Sequence, residues 1–583
     1  MSKEVIILGG GVAGMSAAHE LLTRGFNVKV YEHKHIAGGK ARSMSVPGSG
    51  IDGRKDLPGE HGFRFFPRFY KHLPDTMKQI PLPDGGTVFD NLTEASRIRI
   101  ARYDEASILM SSRFPRTLDD LKVMLDDIFH TSYGFEPGEV HFFADKLWQL
   151  MTSCYDRRLN EYEKIAWWDY IEAEGKSKAF QTLLAEGLTK TLVASNPKLA
   201  STRTGGDILL QLLFDIAKPG ESSDRLLNGP TNDVWIDPWL DWMRSNFKGK
   251  FEYHFNHQLN HIECNTTSKK IDYVTLCSVE RGGRGKMLST GEPFNITGDY
   301  YIAAVPVEVF SKQLTPNMTK VDPTLKSVVP LAKNVNWMNG MQFYLSEDVK
   351  IDHGHCIYVD AEWALTSISQ IQFWKDFPIE QYGNGKVKGI ISVDISEWFG
   401  KGLLNDKPAS ESTREEIKDE VWAQLKKSLN VNGEVLLKDE QIIDWFIDPD
   451  IITPDDGRVQ KNVNTEPLLV NEVNTWHLRP TAHTRIKNFF LASDYVQTNT
   501  DLATMEGANE AARRAVNSII QDSKVNQIPC KIWKLHEPDV LAIWRFADQE
   551  NFEKGEPWDN KLDFLKGLRI RILLFLKKLF SKN

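Results

Sequence analysis

Residues 3–32 read KEVIILGGGVAGMSAAHELLTRGFNVKVYE, in the order apolar strand, glycine turn, helix and second strand. Glycine at position 9 allows a sharp turn off the first strand. Gly11 allows the backbone to approach a pyrophosphate, and Gly14 allows the helix to pack closely on the strand. The spacing of these three glycines therefore predicts a unit that holds a dinucleotide.

The helix and the second strand of this stretch add two further features. At the start of the helix, Val12 and Ala13 lie where free N–H groups and a positive dipole end face the phosphates. Glu32 closes the second strand, where an acid accepts hydrogen bonds from an adenosine ribose. The alternative is a plain glycine turn between two strands, but the full order of strand, turn, helix, strand and acid favours a Rossmann-like domain.

A second glycine pair follows at once in HKHIAGGKARS, residues 33–43. Gly38 and Gly39 allow another close approach of the backbone, and Lys40 and Arg42 supply positive charge that suits a diphosphate. A basic surface turn is the alternative for this segment. Its position beside the first glycine motif favours the cofactor.

Composition limits the class of protein. With 583 residues, 41% hydrophobic and 26% charged, the chain is typical of a soluble globular protein of two to four domains. The net charge of −8 argues against a nucleic-acid partner. Five scattered cysteines without a Cys-x-x-Cys pair indicate free thiols in a reducing compartment, so we expect a cytoplasmic location. Neither a secretory signal nor a run of eighteen apolar residues is found.

The first motif, its acid and the Gly-Gly-Lys segment resemble the FAD-binding start of the flavin amine oxidase and phytoene desaturase superfamily. The resemblance implies FAD rather than NAD. The following segment HGFRFFPRFY, residues 61–70, resembles the aromatic segment of plant-type phytoene and zeta-carotene desaturases. It implies that Gly62 passes beside the isoalloxazine ring, with His61 and Arg64 as candidate catalytic residues. A buried strand whose arginines reach the surface is the alternative.

The third signature lies in residues 489–508, where an apolar strand delivers Asp494 and a helix opens at Met505. A helix N-terminus can stabilise negative charge on the reduced ring. The segment resembles the C-terminal FAD segment of the desaturases, and Ser493 stands where that family usually has glycine. The resemblance also places Leu259 beside the adenine.

The resemblance of these segments implies an α/β fold, in which a discontinuous Rossmann-like FAD-binding domain carries an inserted α+β substrate domain. The expected order is a first FAD-binding segment (1–84), a mainly helical substrate segment (85–245), a second FAD-binding segment (246–315), an antiparallel-sheet substrate segment (316–470), a third FAD-binding segment (471–523) and a C-terminal extension (524–583). Histidines 254, 257 and 261 do not share one strand face, so no metal site is predicted.

The chain ends with KLDFLKGLRIRILLFLKKLFSKN, residues 561–583. On a helical wheel most of its apolar residues share one side and its lysines and arginines the other, although Ile570 and Leu574 lie on the polar side. The pattern favours a helix that lies in an anionic membrane surface, as a peripheral anchor. A terminal helix docked on the protein, or on a partner helix, is the alternative.

The leading functional hypothesis is an FAD-dependent oxidoreductase that dehydrogenates a long apolar lipid of the isoprenoid, carotenoid or polyene kind. A quinone or oxygen would then accept the electrons. A flavin amine oxidase, a redox-neutral lipid isomerase or dehydroxylase, and a lipid-binding escort protein of the same fold are the alternatives. Because the flavin accepts the hydride, no acid/base pair has to stand out in the sequence.

Overall fold

The computed structural model describes residues 3–111, 134–216, 220, 222–282, 287–374, 376–453, 461–562, 567, 569–571 and 573. Two sheets organise the described chain, one of five strands and one of seven. We call them the dinucleotide sheet and the large sheet.

The dinucleotide sheet is parallel throughout. Its strands lie in the spatial order Phe489–Leu491, Tyr300–Ala303, Glu4–Leu8, Asn27–Tyr31 and Phe251–His254. Parallel strands need long crossovers, and here the crossovers contain most of the chain. The sheet is thus assembled from the start, the middle and the end of the sequence, which confirms the discontinuous Rossmann-like domain.

Helices cover this sheet, and close packing depends on one glycine. The Val12–Leu22 helix is buried along its whole length and contacts the Met505–Ser523 helix. A Cβ built on Gly14 would lie 2.0 Å from the carbonyl oxygen of Gly9, closer than any real contact. Gly14 therefore has the packing role that its spacing predicts.

The large sheet has the order Ile442–Ile447, Asn339–Leu345, Gly389–Ile395, Leu365–Ser369, Gly354–Tyr358, Arg97–Arg102 and Glu105–Ser111. Its pairs are antiparallel except the one between Gly354–Tyr358 and Arg97–Arg102. Five of its strands lie within 316–470, the segment expected to form an antiparallel sheet. The last two come from 85–245, the segment expected to be mainly helical. One of them, Arg97–Arg102 with the sequence RIRIAR, pairs with a strand more than 250 residues later.

The remaining strands are short or belong to a hairpin layer beside the dinucleotide sheet. They are Ser43–Ser45, Pro58–Glu60, Leu92–Glu94, Arg225–Leu227, His257–Asn265, Lys270–Arg281, Met287–Ser289, Phe294–Ile296, Val335–Asn336, Ile451–Ile452, Val463–Asn464 and Leu468–Leu469. Among the described α-helices are His72–Met77, Glu139–Thr152, Tyr155–Asn160, Thr202–Ile216, Asp237–Asn246, Val307–Gln313, Pro316–Val321, Arg414–Leu429 and Ala542–Glu553.

Several helices match their sequence patterns. The Arg414–Leu429 helix begins with a capping box in which the Thr413 hydroxyl accepts the Glu416 N–H, and the Glu416 carboxylate accepts the Thr413 N–H. Trp235 and Trp239 are fully buried, as expected for core residues. The apolar spacing of LDDLKVMLDDIFHT, residues 118–131, predicts an amphipathic helix, and this stretch lies outside the described residues. In the described part of the chain, no helix combines the length and apolarity that crossing a bilayer needs.

The two glycines Gly14 and Gly205 provide a stability test. Gly14→Ala forces a Cβ against the Gly9 carbonyl, so we expect a loss of about 1–3 kcal/mol in the free energy of unfolding. Gly205 lies in the Thr202–Ile216 helix with nothing within 4 Å of a built Cβ. Gly205→Ala should therefore be neutral or stabilise by about 0.5–1 kcal/mol. Thermal unfolding followed by circular dichroism compares the variants, and equal melting temperatures would contradict the close packing.

Candidate active site

One cavity of about 600 Å³ joins the dinucleotide sheet to the large sheet. All predicted cofactor residues line it except Gly14 and Arg42. Those on its wall are Gly9, Gly11, Val12, Ala13, Glu32, Gly38, Gly39, Lys40, Gly62, Leu259, Asp494 and Met505. The candidate catalytic residues His61 and Arg64 line the same cavity. The fold thus brings together segments that lie almost five hundred residues apart.

The two glycine segments form opposite sides of one cradle. Gly38 donates its N–H to the carbonyl of Gly10 at 3.3 Å, and it adopts a φ of +103° that favours glycine. At Gly11 a built Cβ would lie 3.5 Å from the Cα of Gly39, an ordinary contact. The protein's own packing therefore does not require glycine at position 11. A group that approaches this backbone closely does require it.

The acid at the end of the second strand is charged and held in place. Glu32 accepts the N–H of Gly10 at 2.7 Å and that of Lys34 at 2.9 Å, and it contacts His33 Nδ1 at 2.8 Å. Burial alone would raise the pKa of Glu32, but His33 and the two N–H groups hold it below its usual value. The N–H of His257 donates to the Glu32 carbonyl, which brings the strand that carries Leu259 beside the acid.

The two predicted cations differ. Lys40 lines the cavity, and the carboxylates of Glu308, Asp494 and Glu466 raise its pKa although burial opposes its charge. The prediction that Arg42 serves the diphosphate finds no support in this geometry. Arg42 is buried and does not line the cavity, and its guanidinium contacts Asp450 and bonds Glu466 at 2.9 Å.

The late signature supplies a helix N-terminus and an unexpected link. The Met505–Ser523 helix begins at the cavity, with Thr504 as its N-cap. The Glu506 carboxylate accepts the backbone N–H groups of Lys71, His72 and Leu73 at 2.7–2.9 Å, and it contacts His72 Nδ1 at 2.8 Å. It thereby caps the His72–Met77 helix, directly after the aromatic segment 61–70. Sequence reasoning found the motif but not this partner.

Ser493, which stands where the family usually has glycine, fits beside Asp494. Ser493 is buried, and its hydroxyl donates to the Asp494 carboxylate at 3.2 Å. Both residues line the cavity.

His61 lies against buried acids. Its Nδ1 is 2.6 Å from Asp448 and 3.8 Å from Asp450. Burial would raise the pKa of Asp448, but His61 and Arg42 lower it to about 2. Among the described residues, this trio is the group whose ligand atoms are close enough for a metal ion. The contact of the Arg42 guanidinium with Asp450 already supplies positive charge there.

Arg64 is half-buried and lies between acids from two different strands. Its guanidinium donates to the carbonyls of Lys40 and Phe63, and it lowers the pKa of both Glu60 and Asp394. Burial is the larger effect on both acids, and it raises each pKa to about 7. Asp394 was missed at the level of sequence. An acid inside the apolar strand GIISVDI is the signal that marks it.

Two family models match the chain. Residues 7–80 match the NAD(P)-binding Rossmann-like domain, and residues 257–520 match the flavin containing amine oxidoreductase. Together with the relatives below, these matches support the FAD-dependent amine oxidase and desaturase superfamily.

Curated relatives match this chain over short stretches. The 4,4'-diaponeurosporene oxygenase of Staphylococcus aureus is 34% identical over 98 residues, 15% of this chain and 20% of that protein. The carotenoid phi-ring synthase of Chlorobaculum tepidum is 39% identical over 69 residues, 12% of this chain and 10% of that protein. The chain therefore matches no more than a fifth of the length of these two relatives.

Solved structures show the fold over most of the chain. Putrescine oxidase with bound putrescine superposes with a TM-score of 0.57 at 12% identity, covering 89% of this chain and 99% of that one. Cyclohexylamine oxidase from Brevibacterium oxydans gives a TM-score of 0.56 at 11% identity, covering 90% and 100%. Together with the family models, these likenesses support an FAD-dependent oxidoreductase.

The residues present fit FAD. The open backbone at Gly11 and the helix that starts at Val12 suit a pyrophosphate, and the charged Glu32 suits a ribose. At the other end of the cavity, the helix that starts at Met505 and the acid Asp494 are available to the flavin half.

The cradle gives a test with a visible readout. In Gly11→Val the added Cβ meets only ordinary contacts in the protein, so we expect a folded chain. It would fill the space of the pyrophosphate and weaken FAD binding at least tenfold, about 1.4 kcal/mol. Visible absorbance of the purified protein, with titration of added FAD, measures this. Gly291→Val, whose Cβ lies 3.9 Å from Ser278 and off the cavity wall, is the control. A variant at position 11 that stays yellow would refute the assignment.

Proposed function

We propose that this chain is an FAD-dependent oxidoreductase that dehydrogenates a C–C bond of a long apolar lipid, of the isoprenoid, carotenoid or polyene kind. The observation that carries the proposal is the continuity of the cavity. The same space that holds the dinucleotide cradle extends between aliphatic and aromatic side chains of the substrate region. These are Phe63, Phe65, Phe69, Leu188, Ile208, Leu209, Leu212, Met338, Leu468 and Val470.

This wall supports an apolar substrate because it consists of hydrophobic and aromatic side chains, which are the usual lining of small-molecule sites. The Thr202–Ile216 helix contributes Ile208, Leu209 and Leu212, one and three residues apart, so they follow one helix side. FAD supplies hydride acceptance when it is bound. The residues of this chain then bind the lipid, orient it and exclude water.

The names of the two curated relatives, which both refer to carotenoid compounds, also support a polyene. Their short matches make this a proposal about substrate class. A quinone of the membrane or oxygen is the electron acceptor we propose, since a dehydrogenation leaves two electrons on the protein's cofactor.

The C-terminal segment supports action at a membrane surface. Ile570, which the helical wheel places on the polar side, is fully buried, and Arg569 contacts Glu550 of the Ala542–Glu553 helix. Leu573, predicted on the apolar side, is 41% exposed. We propose that the segment docks on the protein through Ile570 and turns its apolar side to an anionic bilayer. The other residues of that apolar side lie outside the described residues, and they are Leu565, Leu568, Ile572, Leu576, Leu579 and Phe580.

Reduction of the flavin by lipid tests the function. Without oxygen, an extracted isoprenoid or polyene lipid should bleach the bound flavin. Leu209→Lys places a charge in the apolar wall, and we expect it to slow bleaching at least tenfold. Leu213→Lys changes an exposed residue of the same helix outside the cavity wall and is the matched control. Stopped-flow absorbance measures both.

Three outcomes would contradict this proposal. Bleaching by amines and not by lipids would favour an amine oxidase. A lipid that is isomerised or dehydroxylated without net electron transfer would favour redox-neutral chemistry. A colourless chain that binds lipid and takes up no FAD would favour an escort protein.

Sedimentation with liposomes tests the surface anchor. Deletion of residues 561–583 should release the protein from vesicles that contain anionic lipid, because it removes the apolar and basic groups together. Leu573→Asp should weaken binding without lowering the melting temperature, since this side chain is exposed. If both variants bind the vesicles as the wild type does, the surface anchor is contradicted and the terminal helix is only docked on the protein.

A further inference from the structure

Some of the cavity wall is polar, and it comes from one face of the large sheet. Asp394 lies directly opposite Thr366 in the register of neighbouring strands, and Thr366 lies opposite Ile357. His355 is two residues before Ile357, so it shares that face. Directly opposite residues have Cβ atoms about 4.5–5.5 Å apart and diagonal ones about 7–8 Å apart. His355, Thr366 and Asp394 all line the cavity, and we call them the polar trio.

Each member of the polar trio has a buried atom without a hydrogen-bond partner. These atoms are Nε2 of His355, Oγ1 of Thr366 and Oδ1 of Asp394. The exposed fractions of the three residues are 6%, 1% and 6%. Buried polar atoms are nearly always paired, and the exceptions require an explanation, such as a partner supplied by a ligand. Three unpaired polar atoms on one face of the sheet, in one cavity, point to a ligand group that hydrogen-bonds to them.

The site lies next to the aromatic segment. A Cβ built on Gly62 would meet Asp394 Oδ1 at 2.8 Å and Arg64 Nη1 at 3.4 Å. The rings of Phe63 and Phe65 contact the His355 ring edge-on, with centroids 5.0 Å and 5.1 Å apart, and fix its position. The polar trio is therefore built into the wall between the sheet and this segment.

The charges select the kind of group. Burial lowers the pKa of His355 to about 4, so the imidazole is neutral and both donates and accepts. Burial raises the pKa of Asp394 to about 7, although Arg64 opposes this. The positive charge of Arg64 beside the acid disfavours a ligand ammonium. A neutral ligand oxygen suits the polar trio. It can accept a hydrogen bond from one member, and the oxygen of a hydroxyl can also donate one to another.

We propose that the lipid bound in this cavity carries an uncharged oxygen function, a hydroxyl or a carbonyl, which hydrogen-bonds to His355, Thr366 and Asp394. This inference rests on the proposed function, and it narrows the substrate from a hydrocarbon to an oxygenated lipid. The apolar wall holds the chain of the lipid. The polar trio fixes its position along the cavity beside Gly62.

The test compares probes of one chain length on the FAD-loaded enzyme. The probes are geranylgeraniol, its aldehyde, and the hydrocarbon in which hydrogen replaces the hydroxyl, each titrated anaerobically in the same detergent while flavin absorbance is followed. We expect the better of the two oxygenated probes to bind at least tenfold more tightly than the hydrocarbon. Thr366→Val, which keeps the shape and removes the hydroxyl, should reduce this ratio at least threefold. Thr366→Ser should restore it.

Ser367→Ala is the matched control. Ser367 is adjacent in sequence but faces the other side of the sheet, where its hydroxyl pairs with that of Tyr358 at 2.8 Å. This variant should keep the wild-type ratio. Equal binding of all three probes to the wild type would overturn the inference and leave the proposed function standing. If none of the probes binds and an amine reduces the flavin, the proposed function fails, and the inference fails with it.

Discussion

The architecture depends on parallel pairing between strands that are remote in sequence. Glu4–Leu8 lies between Asn27–Tyr31 and Tyr300–Ala303, and Phe489–Leu491 completes that side of the sheet. Loop closure over hundreds of residues is entropically costly, so these pairings require the burial of the strands and their helices. Once they form, the Gly9 turn and the Met505 helix start are brought to one cavity. The dinucleotide end of the candidate site follows from that sheet.

Buried charges connect the loops around this sheet. Glu506 caps the helix after the aromatic segment, and Arg42 joins the second glycine segment to Asp450 and Glu466. A buried ion pair contributes little net stability, but breaking it leaves an uncompensated charge. Such pairs therefore restrict where the loops can lie. They hold the cavity wall in position from outside, while Lys40 and Glu32 lie on its surface.

The cavity wall combines two kinds of lining. One end has glycine backbone, helix N-termini and charged groups, as a dinucleotide requires. The other end has aliphatic and aromatic side chains, interrupted by the polar trio. Low dielectric surroundings shift the pKa values of Asp394 and His355 towards their neutral forms, so this region of the wall can bond without attracting ions. The substrate region thus selects by shape and by neutral hydrogen bonds.

The sequence by itself determined the dinucleotide motif, the acid at position 32 and the late helix, because glycine conformations, helix starts and strand periodicity are local properties. Tertiary structure alone decided that Arg42 turns to Asp450, that residues 97–111 join the large sheet, and that His355, Thr366 and Asp394 meet. Those outcomes depend on strand register and on the burial of charges from distant segments. No local pattern contains that information, since the partners of each residue are chosen when the sheets pair.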